Sequence, residues 1–551
     1  MLKTQKFKFL KAFLLMTLLA MVLGCANVFA AGGTGVKQPI LGQIEPKGVT
    51  SVYTGQQLKL RALADSTATV TAKVNGSTVT LAKTSERTGT MYWFEGTYTV
   101  PSVSAGKELG TIAFTAKTSS NTETKLSAGL VGVEVPANAG GSSSSGGGTS
   151  GSGDNSDISG SVSAVSGQQI TPTKKYIDVF KTDDRGEDYA APYYYNMPKG
   201  TIDYVKSVSG SYYELKSGRK VKKSDVSVVA DSGSQGNNII SGLNISVDSK
   251  MTTLNIKGKW NVPFNVETSP FTYSSGNWVS SYNATKVTIT FDYTTQMDLS
   301  GVSIPSGGAF KNATWYTRVK DGIAQGVLEL TLSQPNKYYG CYAEYTSTGN
   351  LKLRFYNPIS SLSEARIVID PGHGYNAGTL DTGTIGTDGT YESAMNLQKA
   401  KALKAELESR GATVYMLDSD GTNLKDLYKR CQLAYDWEPH IFVSVHHNSG
   451  SASARGIEVY YNTPFSMPLA RNLTNSIYQA YLQMPYSDGA KNRGYKFSEF
   501  AVTRQKQFAS VLVEYGFMSN PQEMEILKNS SNISLFAKYT ADGLASYFAG
   551  K

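Results

Sequence analysis

The feature that most restricts how this chain can fold is a change in hydrophobic period at Ala365. Before it, apolar residues recur at every second position in short runs broken by Gly, Asn and Ser. Residues 57–61, 69–74 with Asn75-Gly76 behind them, 91–100, 286–293 and 351–355 are examples. Runs of that period form half-buried strands. After Ala365 the pattern alternates. A bare apolar strand (365–369) leads to helical spacing over 392–409, carried by Ala394, Leu397, Leu403 and Leu407 and stopped by Gly411. Strand 413–417, helix 424–436, strands 441–445 and 456–461, helix 467–484, strand 510–513 and a last helix over 532–549 follow. Strands separated by helices of this length need crossover connections. The expected fold is therefore multidomain: a C-terminal α/β domain, with a mostly parallel sheet covered by helices, preceded by all-β modules.

At roughly 100–200 residues per domain, 551 residues allow several such modules. Residues 32–138 read as a β-sandwich. Residues 139–168, rich in Gly and Ser with almost no side chains to bury, read as a linker. Residues 169–232 form a Tyr-rich β module similar in length and turn spacing to bacterial Src-homology-3-like modules. Residues 236–360 repeat the all-β pattern, and their closing strand before Asn357-Pro358 resembles the AMIN-type domain that precedes many wall amidases. Residues 1–31 read as an export signal peptide, with four lysines followed by an apolar run over 12–23. That run is shorter than the ~20 residues a membrane-spanning helix needs. Two processing routes fit: cleavage after Ala30, or lipidation of Cys25 in a lipobox-like Val22-Leu23-Gly24-Cys25. The net charge of +9 falls to +5 without those four lysines, which argues against a nucleic-acid binder. A membrane enters only through a lipid anchor on Cys25. Beyond the signal only Cys341 and Cys431 remain, far apart, so disulfides do not hold the fold.

All four histidines lie after residue 365: His373, His440, His446 and His447. His373 follows a strand directly, within Pro371-Gly372-His373-Gly374. His446 ends the strand 441–445, with His447 on its opposite face. Glu514 ends the apolar strand 511–513, and Glu392 opens a helix after a Gly-rich loop. In an open α/β sheet the carboxyl ends of strands form the ligand crevice. Two imidazoles and a carboxylate make a catalytic zinc set with one open position, and a second carboxylate can act as general base. Any one of these histidines alone is better explained by an ordinary hydrogen-bonded role than as a ligand.

Five ordered blocks resemble the zinc-dependent N-acetylmuramoyl-L-alanine amidases of bacterial cell-wall turnover: IVIDPGHG (367–374), YESAMNL (391–397), SVHHN (444–448), NRGYKF (492–497) and VLVEYGFMSN (511–520). The resemblance covers 365–551. It implies that His373, Glu392 and His446 bind Zn2+ and that Glu514 is the catalytic carboxylate. It further implies hydrolysis of the amide between N-acetylmuramic acid and L-alanine in peptidoglycan, by a secreted protein of the cell wall or cell surface. Asn448 and Arg493 fall in matched blocks and are candidate substrate-binding residues, with a loop-structuring role as the alternative. His447 stands where the family varies and receives no role, and His440 reads as a surface substitution. The family's active-site plug, an insertion after residue 461, has no room here. The basic cluster Lys216, Arg219, Lys220, Lys222 and Lys223 makes anionic wall polymers a candidate partner, or is a solvated face. Tyr193–Tyr195 could stack on sugars or fill a small β core. Two other readings remain open: a non-catalytic wall-binding surface protein, and a zinc peptidase acting within the stem peptide.

Overall fold

The structure is a computed structural model that describes residues 40–45, 49–52, 55, 57–88, 90–102, 108–126, 129–132, 152–153, 157–158, 162–182, 188–190, 194–229, 235–275, 278–376, 379–418, 426–489 and 491–550. The stretch read as an export signal, Cys25, Tyr193 and most of the stretch read as a linker lie outside these residues. The chain divides into two compact units, residues 1–141 and 142–551.

In the first unit, seven antiparallel strands run from Leu41–Glu45 to Thr122–Leu126, and a three-stranded sheet joins Val49–Val52, Gly129–Gly132 and Glu108–Gly110. Strand Thr69–Val74 buries every second residue, Val70, Ala72 and Val74, as period-two spacing requires. Asn75-Gly76, both at positive φ, turn it into its neighbour.

The second unit begins with two β modules. Residues 169–229 form a seven-stranded sheet around a small core of Ile170, Val179, Leu215 and Val221. Residues 238–356 form one five-stranded and one four-stranded sheet. Ser152–Gly153, inside the stretch expected to be linker, adds a parallel strand beside Thr314 and Trp315. Strand pairing uses backbone groups only, so a segment without apolar side chains can still join a sheet edge. Cys341 and Cys431 are free and buried.

The C-terminal region contains, in chain order, β1 (Arg366–Pro371), α1 (Glu392–Ser409), β2 (Thr413–Met416), α2 (Leu427–Trp437), β3 (Ile441–Asn448), β4 (Ile457–Tyr461), α3 (Met467–Tyr481), β5 (Asn492–Phe497), β6 (Ala509–Phe517), α4 (Pro521–Lys528) and α5 (Ser530–Ala549). The strand order is β2-β1-β3-β6-β4-β5. The sheet is mixed: four neighbouring pairs run parallel, and β4 runs antiparallel to β6. Helix α4 had no counterpart in the expected pattern. It is short, and Asn520 caps it by accepting from the amides of Gln522 and Glu523. Strand β4 ends at Tyr461 and α3 begins at Met467, with the single 3-10 turn Pro464–Ser466 between them. Among the described residues no helix is long and apolar enough to cross a membrane.

Residues from the second β module and the C-terminal region share one continuous core. At their seam Tyr342 donates to the Pro439 carbonyl at 2.5 Å, and Tyr461 accepts from the Val279 amide at 2.8 Å. Tyr176, from the first β module, stacks on Tyr435 at 5.2 Å. A Cβ on Gly340 would stand 2.5 Å from the backbone of Gln507, so only glycine lets the two segments lie this close. His440 is 3% exposed rather than on the surface, stacked on Tyr356 at 3.7 Å with its Nδ1 accepting from the Arg366 amide. The β module covers the strand end where water was expected. Burial also holds the His440 ring neutral, with its pKa pushed down to about 3.

The basic cluster is likewise not one solvated face. Arg219 is buried in an ion pair with Asp292, and Lys220 is 7% exposed, whereas Lys216 and Lys222 are exposed. Tyr195 is buried and donates to the Cys341 carbonyl, so it fills a core.

Candidate metal centre

Three groups that the sequence scatters over 74 positions meet where β1, β3 and α1 begin or end. One ligand atom each from His373, Glu392 and His446 lie within 4.8 Å of one another. Glu392 is the first residue of α1, where the helix dipole favours a carboxylate. Its Oε2 faces His373 Nε2 at 3.3 Å and its Oε1 faces His446 Nδ1 at 3.0 Å. Ligands about 2.0–2.2 Å from a tetrahedral zinc stand about 3.3 Å apart. The two separations from Glu392 fit such an ion.

The backbone leaves room only because two glycines line the site. A Cβ on Gly372 would stand 2.2 Å from the His446 ring, and one on Gly383 would stand 2.5 Å from Glu392 Oε2. His373 itself has φ 62, a conformation that costs a non-glycine residue energy and must be held from outside. Arg430 of α2 holds it. This buried guanidinium donates to the His373 carbonyl at 2.9 Å and to Asp370 at 2.8 Å. Asp370 also accepts from Ser444 at 2.7 Å. On the far side of the His373 ring, Nδ1 meets Asp381 at 2.9 Å, leaving Nε2 to point at Glu392. A carboxylate behind a ligating imidazole fixes its tautomer and raises its basicity.

Charge follows the same geometry. Burial works against a proton on His373, but the hydrogen bonds to Glu392 and Asp381 outweigh it and raise its pKa to about 9. Burial would likewise raise Glu392, yet the two imidazoles hold its carboxyl far below the usual range. The site is built to hold positive charge between two rings and a carboxylate.

Glu514 of β6 is the register partner of His446 in β3 and of Glu458 in β4. Its Oε2 is buried with no hydrogen-bond partner. Burial raises its pKa well above the carboxylate range, and the neighbouring Glu392 and Glu458 add to the effect. Asn448 and Arg493 both reach Glu458: the Asn448 amide donates at 3.4 Å, and the Arg493 guanidinium pairs with the same carboxylate. Lys496 joins at 2.9 Å. His447 is buried, with its ring Nδ1 on Asn396 of α1 at 2.7 Å.

Sequence reasoning missed Asp381, Arg430 and Glu458. Asp381 lay in a Gly-rich loop read only as a spacer. Arg430 sits in a helix whose pairing partner lies 60 positions away. Glu458 alternates within a strand like any exposed acid. The helical face of α1 also differs from expectation. Ala394 is exposed, and the buried stripe contains Glu392, Asn396 and Lys399 instead.

Residues 367–546 match the family described as N-acetylmuramoyl-L-alanine amidase. N-acetylmuramoyl-L-alanine amidase LytC of Bacillus subtilis (strain 168) is 32% identical over 183 residues, covering 33% of this chain and 35% of that protein. The chain thus spans about a third of LytC. The uncharacterised protein YqiI of the same organism is 32% identical over 182 residues, covering 33% of this chain and 84% of YqiI. Among solved structures, the catalytic domain of the amidase CwlV from Bacillus (Paenibacillus) polymyxa var. colistinus is 30% identical with a TM-score of 0.31. That match covers 34% of this chain and 99% of the CwlV domain.

Proposed function

Because the chain belongs to the N-acetylmuramoyl-L-alanine amidase family, we propose that it is an exported enzyme hydrolysing the amide between N-acetylmuramic acid and L-alanine in peptidoglycan, with zinc held by His373, Glu392 and His446. The observation that carries this reading is the convergence of those three ligand atoms within 4.8 Å, beside an unpartnered buried carboxylate oxygen on Glu514. Zinc bound there supplies a Lewis acid that polarises a carbonyl and lowers the pKa of a water toward ~7.

The chain's own residues do the rest. Glu514 takes the proton of the attacking water and returns it to the departing alanine amine. Its raised pKa suits a carboxyl that must both accept and give back a proton. Asp381 keeps the His373 ring turned with Nε2 toward the site, and Arg430 holds the left-handed backbone beneath it. Arg493, with about a third of its side chain exposed (36%), takes a carboxylate of the stem peptide, oriented by Glu458. Asn448, tied to the same Glu458, lines the same rim.

The test uses the full chain. Zinc content is measured together with release of new N-terminal alanine and of reducing sugars from purified peptidoglycan. The expected result is near one zinc per chain, amine release without reducing ends, and loss of turnover by at least about a hundredfold in Glu514→Gln with zinc retained. Amine release from within the stem peptide would favour a zinc peptidase. A chain with neither metal nor release would be a wall-binding protein.

A further inference from the structure

Behind the metal site, α1 turns a polar stripe into the core. Glu392, Asn396 and Lys399 stand at i, i+4 and i+7 and so share one face of the helix. All three are buried, Asn396 and Lys399 to 0% and 1% exposure. A position that deep is ordinarily apolar, and Lys399 is surrounded accordingly. Its ammonium lies 4.3 Å from the Phe536 ring centroid and 5.0 Å from that of Tyr515, and its Nζ has no hydrogen-bond partner. Burial lowers its pKa to about 7, so the site imposes a real cost.

His447 packs against the same Tyr515 ring, with centroids 6.1 Å apart. One of its nitrogens is also unpartnered, the buried Nε2. Which nitrogen carries hydrogen is fixed by a sequence of contacts that starts from a backbone carbonyl. The Asn396 amide nitrogen lies 3.0 Å from the Gly372 carbonyl and 3.2 Å from Glu392 Oε1, and both are acceptors. The NH2 group must therefore face them, which turns Asn396 Oδ1 toward His447 Nδ1 at 2.7 Å. An oxygen there requires Nδ1–H. The Nε2 of that ring is then a buried lone pair, and the unpartnered donor against the same aromatic wall is Lys399.

We propose that Lys399, His447 and Asn396 form a one-way chain of hydrogen-bond donors, completed by a single-water bridge from Lys399 Nζ to His447 Nε2, that positions the carboxylate of the metal ligand Glu392. Each member hands its hydrogen toward the ligand: lysine to His447, His447 Nδ1–H to Asn396, and the Asn396 amide to Glu392 Oε1. The backbone amide of His447 donates to the same oxygen at 3.2 Å. These residues are positioning residues and touch no reacting atom. Without Lys399, the ring is free to adopt Nε2–H only if Asn396 turns over. That would take its NH2 off Glu392 and put an oxygen against the carboxylate. The inference rests on the zinc site proposed above.

The test is made on the full chain with 15N-labelled histidine, which has only four side chains to assign, and with zinc alone as the probe. In the wild-type chain His447 should be found wholly as Nδ1–H, with or without metal. In Lys399→Met, which keeps the length and removes the donor, the Nδ1–H tautomer held by Asn396 should remain, while the His447 Nε2 resonance should move to that of a lone pair with no donor. The variant's zinc dissociation constant should weaken about tenfold or more, as for other partners behind metal ligands. The unfolding temperature of the metal-free variant should not fall, because a buried amine has been replaced by an apolar side chain. An Nε2–H tautomer in the wild type would overturn the chain of donors, and so would Lys399→Met with an unchanged His447 Nε2 resonance and unchanged zinc affinity. The wild-type tautomer is readable even if the variant does not fold. Zinc binding that responds to Lys399 in a chain that releases no amine would support the relay while overturning the proposed reaction.

Discussion

A methyl group decides whether the ligands can meet at all. Gly372→Ala would place a Cβ 2.2 Å from the His446 ring, and neither the ring nor the paired strands around it can retreat by an ångström. We expect the variant to fold and to lose zinc affinity by at least about tenfold, as read by competition with a chelator. Lys399 gives a prediction with a sign. Its pKa is about 7 in the fold against 10.5 in a free chain. Between those values the folded chain keeps the amine neutral while the unfolded chain takes up a proton. Its contribution is therefore most favourable above 10.5 and declines by roughly 1.4 kcal/mol per pH unit as pH falls toward 7. Lys399→Met removes that slope, so its unfolding temperature should exceed that of the wild type by more at pH 7 than at pH 9. At this scale His373, His446 and Glu514 stood out because each follows an apolar strand, where a polar residue needs a reason, and Glu392 because it opens a helix after a Gly-rich loop. His440 stands just before such a run, yet what covers it is Tyr339 and Tyr356, residues that no local pattern connects to it. Arg219 was misread for the same cause: four basic neighbours suggest water, and Asp292 lies 73 positions away.

Helix α2 carries no ligand, yet the site leans on it. Arg430 connects the helix to Asp370 and to the backbone of His373, while Tyr435 of the same helix stacks on Tyr176 of the first β module. Removing one partner of a buried pair typically costs about 3–5 kcal/mol. Arg430→Met should therefore lower the unfolding temperature of the second unit and weaken zinc binding together, measured by calorimetry with and without zinc. An effect on stability alone would show that His373 keeps its conformation unaided. Most strands and the longer helices could be read from periodicity, because a face buried along its length imposes its period on the sequence. Helix α4 could not: at eight residues it offers two turns and too short a pattern. The antiparallel direction of β4 was equally hidden, since an apolar run reads the same whichever way it enters the sheet.

Across the whole of residues 142–551, the boundary written in the sequence at Ala365 is a change of secondary structure and not a gap in the core. Tyr339, Tyr342 and Tyr356 close over the ends of β3 and α5, next to His440 and Phe548. Each aromatic side chain returned to water costs roughly 1.5–3 kcal/mol. Residues 365–551 expressed alone should therefore melt well below residues 142–551 and bind a dye for exposed apolar surface. Equal melting temperatures would mean that the seam contributes nothing to the fold. The Gly340 contact has a consequence for how such a chain can change over generations. Where a backbone rests directly on a backbone, the parts cannot be exchanged as cassettes. A graft that brings other modules to this C-terminal region inherits the requirement for a glycine opposite Gln507, and one that lacks it must re-form the seam before it can fold.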